Sequence, residues 1–212
     1  MKNLDNLYQA VLTGNLPQTV EITQEAIIDQ IQPGEIINKY MIPAMNEIGR
    51  RFENGDAFVP ELLLAARAMK GALELLKPLM NGESSMSLGK IVIGTVKGDL
   101  HDIGKNLVAS MLEGCGFEVI NLGIDVSDEM FVSAVKEHNA QIVCLSALLT
   151  TTMNQMQSVI EALKSAGIRE QVKVMVGGAP VSEQFAMQIG ADGFSSNANS
   201  AVYKAKELLN CV

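Results

Sequence analysis

The sequence predicts an α/β protein in two parts: a four-helix bundle at the N-terminus, then a five-stranded parallel sheet with helices on both faces. Three observations predict it. Apolar residues recur at helical spacing from Leu4 to about Met80, with no β-rich run among them. From Lys90 onward, short β-branched runs alternate with helical stretches, the pattern of successive βα units. Between the two textures lies a small, polar, Gly- and Ser-rich stretch, residues 81–89 (NGESSMSLG), with the composition of a linker. The predicted domains are 1–84 and 85–212.

In the first part, Leu4, Leu7, Tyr8 and Val11 form one apolar stripe, and Val20, Ile22, Ala26, Ile27 and Ile31 a second. Ile36, Ile37, Met41 and Ile48 form a third, and the residues between Leu62 and Leu76 a fourth. Breaks fall at Gly14 and Pro17, at Pro33 and Gly34, at Asn54 to Asp56, and at Pro78. Four helices joined by short loops read as a bundle. Strands are predicted over residues 90–96 (KIVIGTV), 117–122 (FEVINL), 141–146 (QIVCLS) and 172–176 (VKVMV), with Gly193–Ser195 as a weak fifth. Helices are predicted over 104–115, 127–138, 152–166, 182–188 and 198–209. Parallel sheets of this kind bind ligands at the carboxyl ends of their strands, near the point where strand order reverses. The loops there carry the candidate chemistry.

Composition narrows the function classes. Of 212 residues, 48% are hydrophobic and 19% charged, as in an ordinary globular protein. A net charge of −8 without any basic run argues against nucleic acid or an anionic membrane as partner. Cys115, Cys144 and Cys211 contain no CxxC, which argues against a disulfide framework and a structural zinc site. Asp5 stands where a signal peptide needs apolar residues, and no apolar stretch nears the roughly 18 residues of a membrane span. A cytoplasmic location is the expectation.

The loop after the first strand, residues 98–106 (GDLHDIGKN), is not a phosphate-binding loop. No Gly sits five residues before Gly104, and Asn106 stands where a magnesium-binding Ser or Thr belongs. It holds instead Asp99-x-His101, and His101 is one of two histidines in the chain. A neutral imidazole is a common metal ligand, and its second ring nitrogen usually donates to a carboxylate. One His cannot hold zinc alone, but a metal already held equatorially by a macrocycle needs only one axial ligand. The plainer alternative is a helix-capping loop with a solvated His.

The other strand ends extend the pattern. DxHxxG (Asp99 to Gly104), then 41 residues, SxL (Ser146 to Leu148), then 28 residues and Gly177-Gly178 together resemble the cobalamin-binding domain. Residues 52–73 (FENGDAFVPELLLAARAMKGAL) resemble the helical cap that precedes this domain in cobalamin-dependent methionine synthase and in corrinoid proteins of methyltransferase systems, including those for methylamines and methanol. The resemblance spans nearly the whole chain. It implies a helical cap followed by a flavodoxin-like, Rossmann-type sheet.

The resemblance also implies a cofactor: cobalamin or a related corrinoid, bound base-off/His-on. Its nucleotide tail would leave cobalt for a slot in the α/β domain, and His101 would become the lower axial ligand with Asp99 on its far nitrogen. Asp102, Ile103, Gly104, Ser146, Leu148, Thr150, Thr152, Gly177 and Gly178 would also meet the cofactor. Ser146 would line the slot, and Thr152 would be the third member of the ligand triad. The glycines lack side chains, so their backbone can approach a bulky ligand; an ordinary turn is the other reading. Phe58, Leu62, Leu63 and Met69 would cover the upper face, although their spacing suits a bundle core as well.

The function implied is that of a methyl carrier. It would accept a methyl group on Co(I) from a substrate-specific methyltransferase and donate it from methyl–Co(III) to a second methyltransferase, with a reductive activator as further partner. Such a chain is a subunit of a methyltransferase system, not an enzyme by itself. The alternatives are a cobalamin-binding sensor, the small subunit of a cobalamin-dependent mutase, or a flavodoxin-like domain without a corrin. The absence of Trp and of a basic helix-turn-helix weighs against the sensor. The methyl donor is not legible.

Overall fold

The computed structural model describes residues 4–79 and 88–210; apart from Leu88 and Gly89, the predicted linker lies outside the described residues, as does the predicted boundary after residue 84. The chain forms two compact units, one of Met1–Met86 with Glu113–Gly116, the other of Ser87–Leu112 with Phe117–Val212. Among the described residues no helix is long and apolar enough to cross a membrane.

The helical unit runs α1 (Leu4–Leu12), α2 (Leu16–Ile28), α3 (Pro33–Ile36), a π-helical turn (Ile37–Met41), α4 (Ile42–Glu53) and α5 (Val59–Leu76), followed by a short 3-10 turn at Lys77–Leu79. Asn15 caps α2 by accepting the Gln18 N–H at 3.2 Å, and Pro17 and Pro60 stand in first turns, where their missing N–H costs nothing. The third stripe of the sequence is one rod interrupted by the π-turn. Pro43 explains the interruption, because its ring would clash with the carbonyl four residues earlier in a regular α-helix, and the wider turn ahead of it relieves that. Glu61 accepts the Phe58 N–H at 2.6 Å, which fixes the start of α5. The core is built from Leu7, Val11, Ile36, Met41, Met45, Leu62, Met69 and Leu76, all essentially inaccessible. Each such side chain is worth about 1.5–3 kcal/mol of burial.

The α/β unit contains β1 (Lys90–Thr95), α6 (Ile103–Gly114), β2 (Glu118–Asn121), α7 (Asp128–His138), β3 (Ile142–Ser146), α8 (Asn154–Ser165), β4 (Lys173–Gly177), α9 (Glu183–Ile189), β5 (Gly193–Ser195) and α10 (Ala198–Leu208). The five strands are all parallel in the order β2-β1-β3-β4-β5. This is the flavodoxin-like order, and the chain reverses direction across the sheet between β1 and β3. Right-handed crossovers then place α7, α8 and α9 on one face and α6 and α10 on the other. Alternation along the strands divides the apolar residues accordingly. Val92, Val143, Leu145, Val174 and Val176 pack with Phe131, Met156, Val159, Ile160 and Leu163. Ile91, Ile93, Ile142, Cys144 and Met175 point to the opposite face.

Candidate functional site

The site grows from the switch point itself. β1 ends on Thr95 and β3 on Ser146, which are register partners, and the Val96 N–H donates to the Ser146 carbonyl at 3.0 Å. The two strands therefore deliver their following loops side by side. Asp99, in the β1 loop, is fully buried, and its carboxylate gathers five donors. Oδ1 accepts from the His101 N–H at 3.1 Å and His101 Nδ1 at 2.7 Å. Oδ2 accepts from the backbone N–H groups of Leu148 and Leu149 at 2.8 and 3.2 Å, and from the Thr152 hydroxyl at 2.7 Å. Burial alone would raise the carboxyl pKa. The bonds from Thr152, His101 and Leu148 outweigh it and hold Asp99 far below the ordinary carboxylate range. Asp99 is thus ionised at neutral pH and ties the two loops together.

That anion fixes the imidazole. With Oδ1 accepting, Nδ1 carries the ring proton and Nε2 presents its lone pair. The His101 side chain is 50% exposed, and Nε2 has no partner among the described residues. The His101 carbonyl is held from below by the Thr95 hydroxyl at 2.9 Å. The same two strand ends carry exposed apolar side chains, Leu100, Ile103, Leu148 and Leu149. An unpaired ring nitrogen beside exposed apolar residues is suited to a large ligand carrying a metal. Among the described residues no three His, Cys, Asp or Glu side chains stand together to hold a bare ion.

The remaining predicted residues separate. Thr152 joins Asp99, and its extra methyl lies towards Gly98, where an added Cβ would be 3.7 Å from Cγ2. Gly104 opens α6, and a Cβ there would meet nothing within 4 Å. Gly178 has φ +128°, and a Cβ on it would collide with the Ala147 carbonyl, so only glycine fits this turn. Gly177 lies beside Ser195, whose carbonyl would be 3.1 Å from an added Cβ. Asp102 caps α6 through Asn106, accepting its N–H at 2.7 Å and its side-chain amide at 2.8 Å. Thr150 is exposed and takes no part in the Asp99 cluster. On α5, Leu62 and Met69 are fully buried and Leu63 is exposed, as is Phe58 just before the helix.

Several site residues escaped the sequence reading. Lys105 is buried at the start of α6, its ammonium bound to the side-chain oxygens of Asn106 at 2.6 Å and Asn121 at 2.7 Å, and desolvation lowers its pKa. This anchors α6 to the end of β2. Asp125, at φ +52°, accepts the Gly98 N–H at 2.7 Å and shapes the β1 loop from the other side. No sequence signal marks these, because each depends on which strand end lies next to which.

Fold and site together define a ligand-binding α/β protein whose chemistry sits at the switch point of its sheet. Comparisons with known proteins carry this further. Residues 89–203 match the family model described as "B12 binding domain", and residues 4–77 match a second model of the same description. The dimethylamine corrinoid protein of Methanosarcina barkeri is 46% identical over 207 residues, 97% of each chain. The trimethylamine corrinoid protein of the same organism is 47% identical over 192 residues, 90% of this chain and 88% of that one. Among solved structures, a cobalamin-binding protein from Desulfitobacterium hafniense has a TM-score of 0.81 at 36% identity, covering 98% of this chain and 99% of that one. The methanol:cobalamin methyltransferase complex MtaBC of Methanosarcina barkeri has a TM-score of 0.83 at 29% identity, covering 97% of this chain and 79% of that one. The chain belongs to the family of corrinoid proteins built from B12-binding domains.

Proposed function

We propose that this chain is a corrinoid methyl carrier that binds its cofactor base-off with His101 as lower ligand. The observation that carries the reading is the Asp99–His101 pair: a buried anion fixes the imidazole tautomer and leaves Nε2 unpaired. The residues present suit a corrinoid in three further respects. The exposed apolar side chains of Leu100, Ile103, Leu148 and Leu149 suit contact with an apolar macrocycle. The backbone at Gly104 is open to close approach. The amide nitrogen of Asn199 is buried without a partner beside the sheet. When bound, the corrinoid supplies a cobalt that takes up a methyl group and gives it up again.

The chain's own residues supply orientation. Asp99 holds the His101 ring through Nδ1 and so aims Nε2, and Thr152 and the Leu148 N–H keep Asp99 in place. Phe58 and Leu63 are the two predicted shield residues with exposed side chains. The partners of such a carrier are a substrate-specific methyltransferase, a second methyltransferase that receives the group, and a reductive activator. A methylated amine is the methyl source this reading favours over methanol, because the full-length relatives near 46% identity are named for dimethylamine and trimethylamine, whereas the methanol complex matches at 29%.

The test is reconstitution of the purified protein with cobalamin, followed by absorption and paramagnetic resonance. The reduced cobalt is expected to show coupling to one protein nitrogen, abolished in His101→Ala while circular dichroism stays unchanged. Coupling that persists in that variant overturns the ligand assignment. Methyl uptake from dimethylamine or trimethylamine, driven by the matching methyltransferase, tests the donor class.

A further inference from the structure

The first turn of α6 holds a charge where elementary electrostatics disfavours one. Lys105 is the third residue of the helix and only 3% exposed. Burial strips water from its ammonium, and a cation at a helix N-terminus meets the positive end of the helix dipole. Among the described residues its polar partners are two neutral amide oxygens, Asn106 Oδ1 at 2.6 Å and Asn121 Oδ1 at 2.7 Å. A methionine would fill the same space without either penalty. A lysine retained there marks a bond that the site needs, since local rules of this kind are broken mainly where function requires it.

The bond closes a circuit that runs through His101. Asn121 ends β2; its Oδ1 also accepts the Gly123 N–H at 3.1 Å, and its amide donates to Asn106 Oδ1 at 3.1 Å. The Gly123 carbonyl accepts the N–H of Thr95, the last residue of β1, at 3.0 Å. The Thr95 hydroxyl in turn donates to the His101 carbonyl at 2.9 Å. Only Asp102 separates His101 from the start of α6 at Ile103. The backbone that carries the imidazole is therefore held by Thr95 on one side and by the first turn of α6 on the other. Asp99 governs the ring and the His101 N–H, but its other bonds go to Leu148, Leu149 and Thr152, and none reaches α6. What fixes the start of α6 against the sheet is Lys105.

We infer that Lys105 is a positioning residue for His101: by pinning the first turn of α6 to the end of β2 through Asn121, it fixes the backbone from which the imidazole presents Nε2. This rests on the corrinoid reading proposed above and adds to it a residue that acts through His101. Asp99 sets how the ring is turned, and Lys105 sets where the ring stands. Without the ammonium the helix start can shift along the sheet, and Nε2 shifts with it while the Asp99 bond to Nδ1 stays intact.

The experiment loads wild type, Lys105→Met, Asn121→Leu and Asn121→Asp with cobalamin in the Co(II) state. Isotopically labelled imidazole is then added, and paramagnetic resonance follows the replacement of the protein nitrogen on cobalt by the labelled one. Lys105→Met and Asn121→Leu are expected to need about tenfold less imidazole for half replacement, the scale of one hydrogen bond to a charged group. Asn121→Asp keeps an oxygen for Lys105 and for the Gly123 N–H and is expected to behave as wild type. The ligand-free proteins give a second readout by amide hydrogen exchange. Residues 99–106 should exchange about tenfold faster in the first two variants while β3 and α8 keep their wild-type protection; a merely structural lysine would speed all of them together. Should Lys105→Met fail to fold, Asn121→Leu decides, since it breaks the same bond from β2. Half replacement at the wild-type concentration in Lys105→Met and Asn121→Leu, Asn121→Asp as easily displaced as Asn121→Leu, or uniformly faster exchange each overturn the inference while the corrinoid reading stands. Wild-type protein that shows no protein nitrogen on cobalt overturns the corrinoid reading and the inference with it.

Discussion

Replacing Asp99 by Asn tests the centre of the site without any cofactor. The carboxylate meets five donors through two oxygens, three on one and two on the other. An amide of the same shape has one oxygen. Its least costly placement turns the oxygen to Leu148, Leu149 and Thr152 and the NH₂ group to His101. The imidazole can then answer by moving its proton to Nε2, but the His101 backbone N–H loses its acceptor and the surviving bonds lose their charge assistance. One orphaned donor and weakened bonds in a fully buried place amount to about 3 kcal/mol. That is a large fraction of a domain's stability. Urea denaturation of the ligand-free protein, followed by circular dichroism, is the assay, with unchanged m-values as the control. The pH dependence has a definite sign. Asp99 titrates lower folded than unfolded, so its contribution is complete above about pH 5. It is lost as pH falls through the unfolded value near 4 and on towards the depressed folded one. The gap between wild type and Asp99→Asn should therefore be constant from pH 5 to 8 and narrow below pH 4. A gap under about 1 kcal/mol at pH 7, or one that widens in acid, would refute the reasoning.

Four further outcomes are expected. Thr152→Val keeps the shape but removes one donor from Oδ2, and a loss of about 1–2 kcal/mol in the same denaturation assay is expected, with the acid limb shifted towards higher pH. Gly178→Ala is expected to cost 2 kcal/mol or more, roughly, since φ +128° and the Ala147 carbonyl both oppose a Cβ, whereas Gly104→Ala in the open first turn of α6 should stabilise the ligand-free protein by about 0.5–1 kcal/mol and weaken corrinoid binding in a spectral titration. Burial pushes the Cys144 thiol up to about 12, so iodoacetamide at pH 8 should leave it unmodified in the native protein and label it only after unfolding, as read by peptide mass mapping.

Most of the order of elements was legible because hydrophobic period is a local property. β-branched runs at 90–96 and 141–146 needed no neighbour to declare themselves, and the strands begin and end within a residue or so of the predicted bounds. The DxHxxG, SxL and GG motifs fall on three loops that lie together because strand ends in a parallel sheet meet at one edge. The division of Phe58, Leu62, Leu63 and Met69 was not legible in advance. All four are apolar; the rotation of α5 about its axis decides that Leu62 and Met69 turn inward while Leu63 stays exposed, and Phe58 is exposed in the extended residue before the helix.

What the sequence by itself determined, then, is the succession of helices and strands and the identity of the imidazole with its carboxylate, since Asp99 and His101 are neighbours in the chain. The tertiary structure alone decided what surrounds them. Leu148, Thr152, Lys105 and Asn121 acquire their hydrogen-bond partners only when β3 lies beside β1 and β2 on the other side. The physical reason is range. Backbone periodicity is set by residues a few positions apart, whereas a buried charge or an unmet donor is defined by atoms that chain distance does not relate.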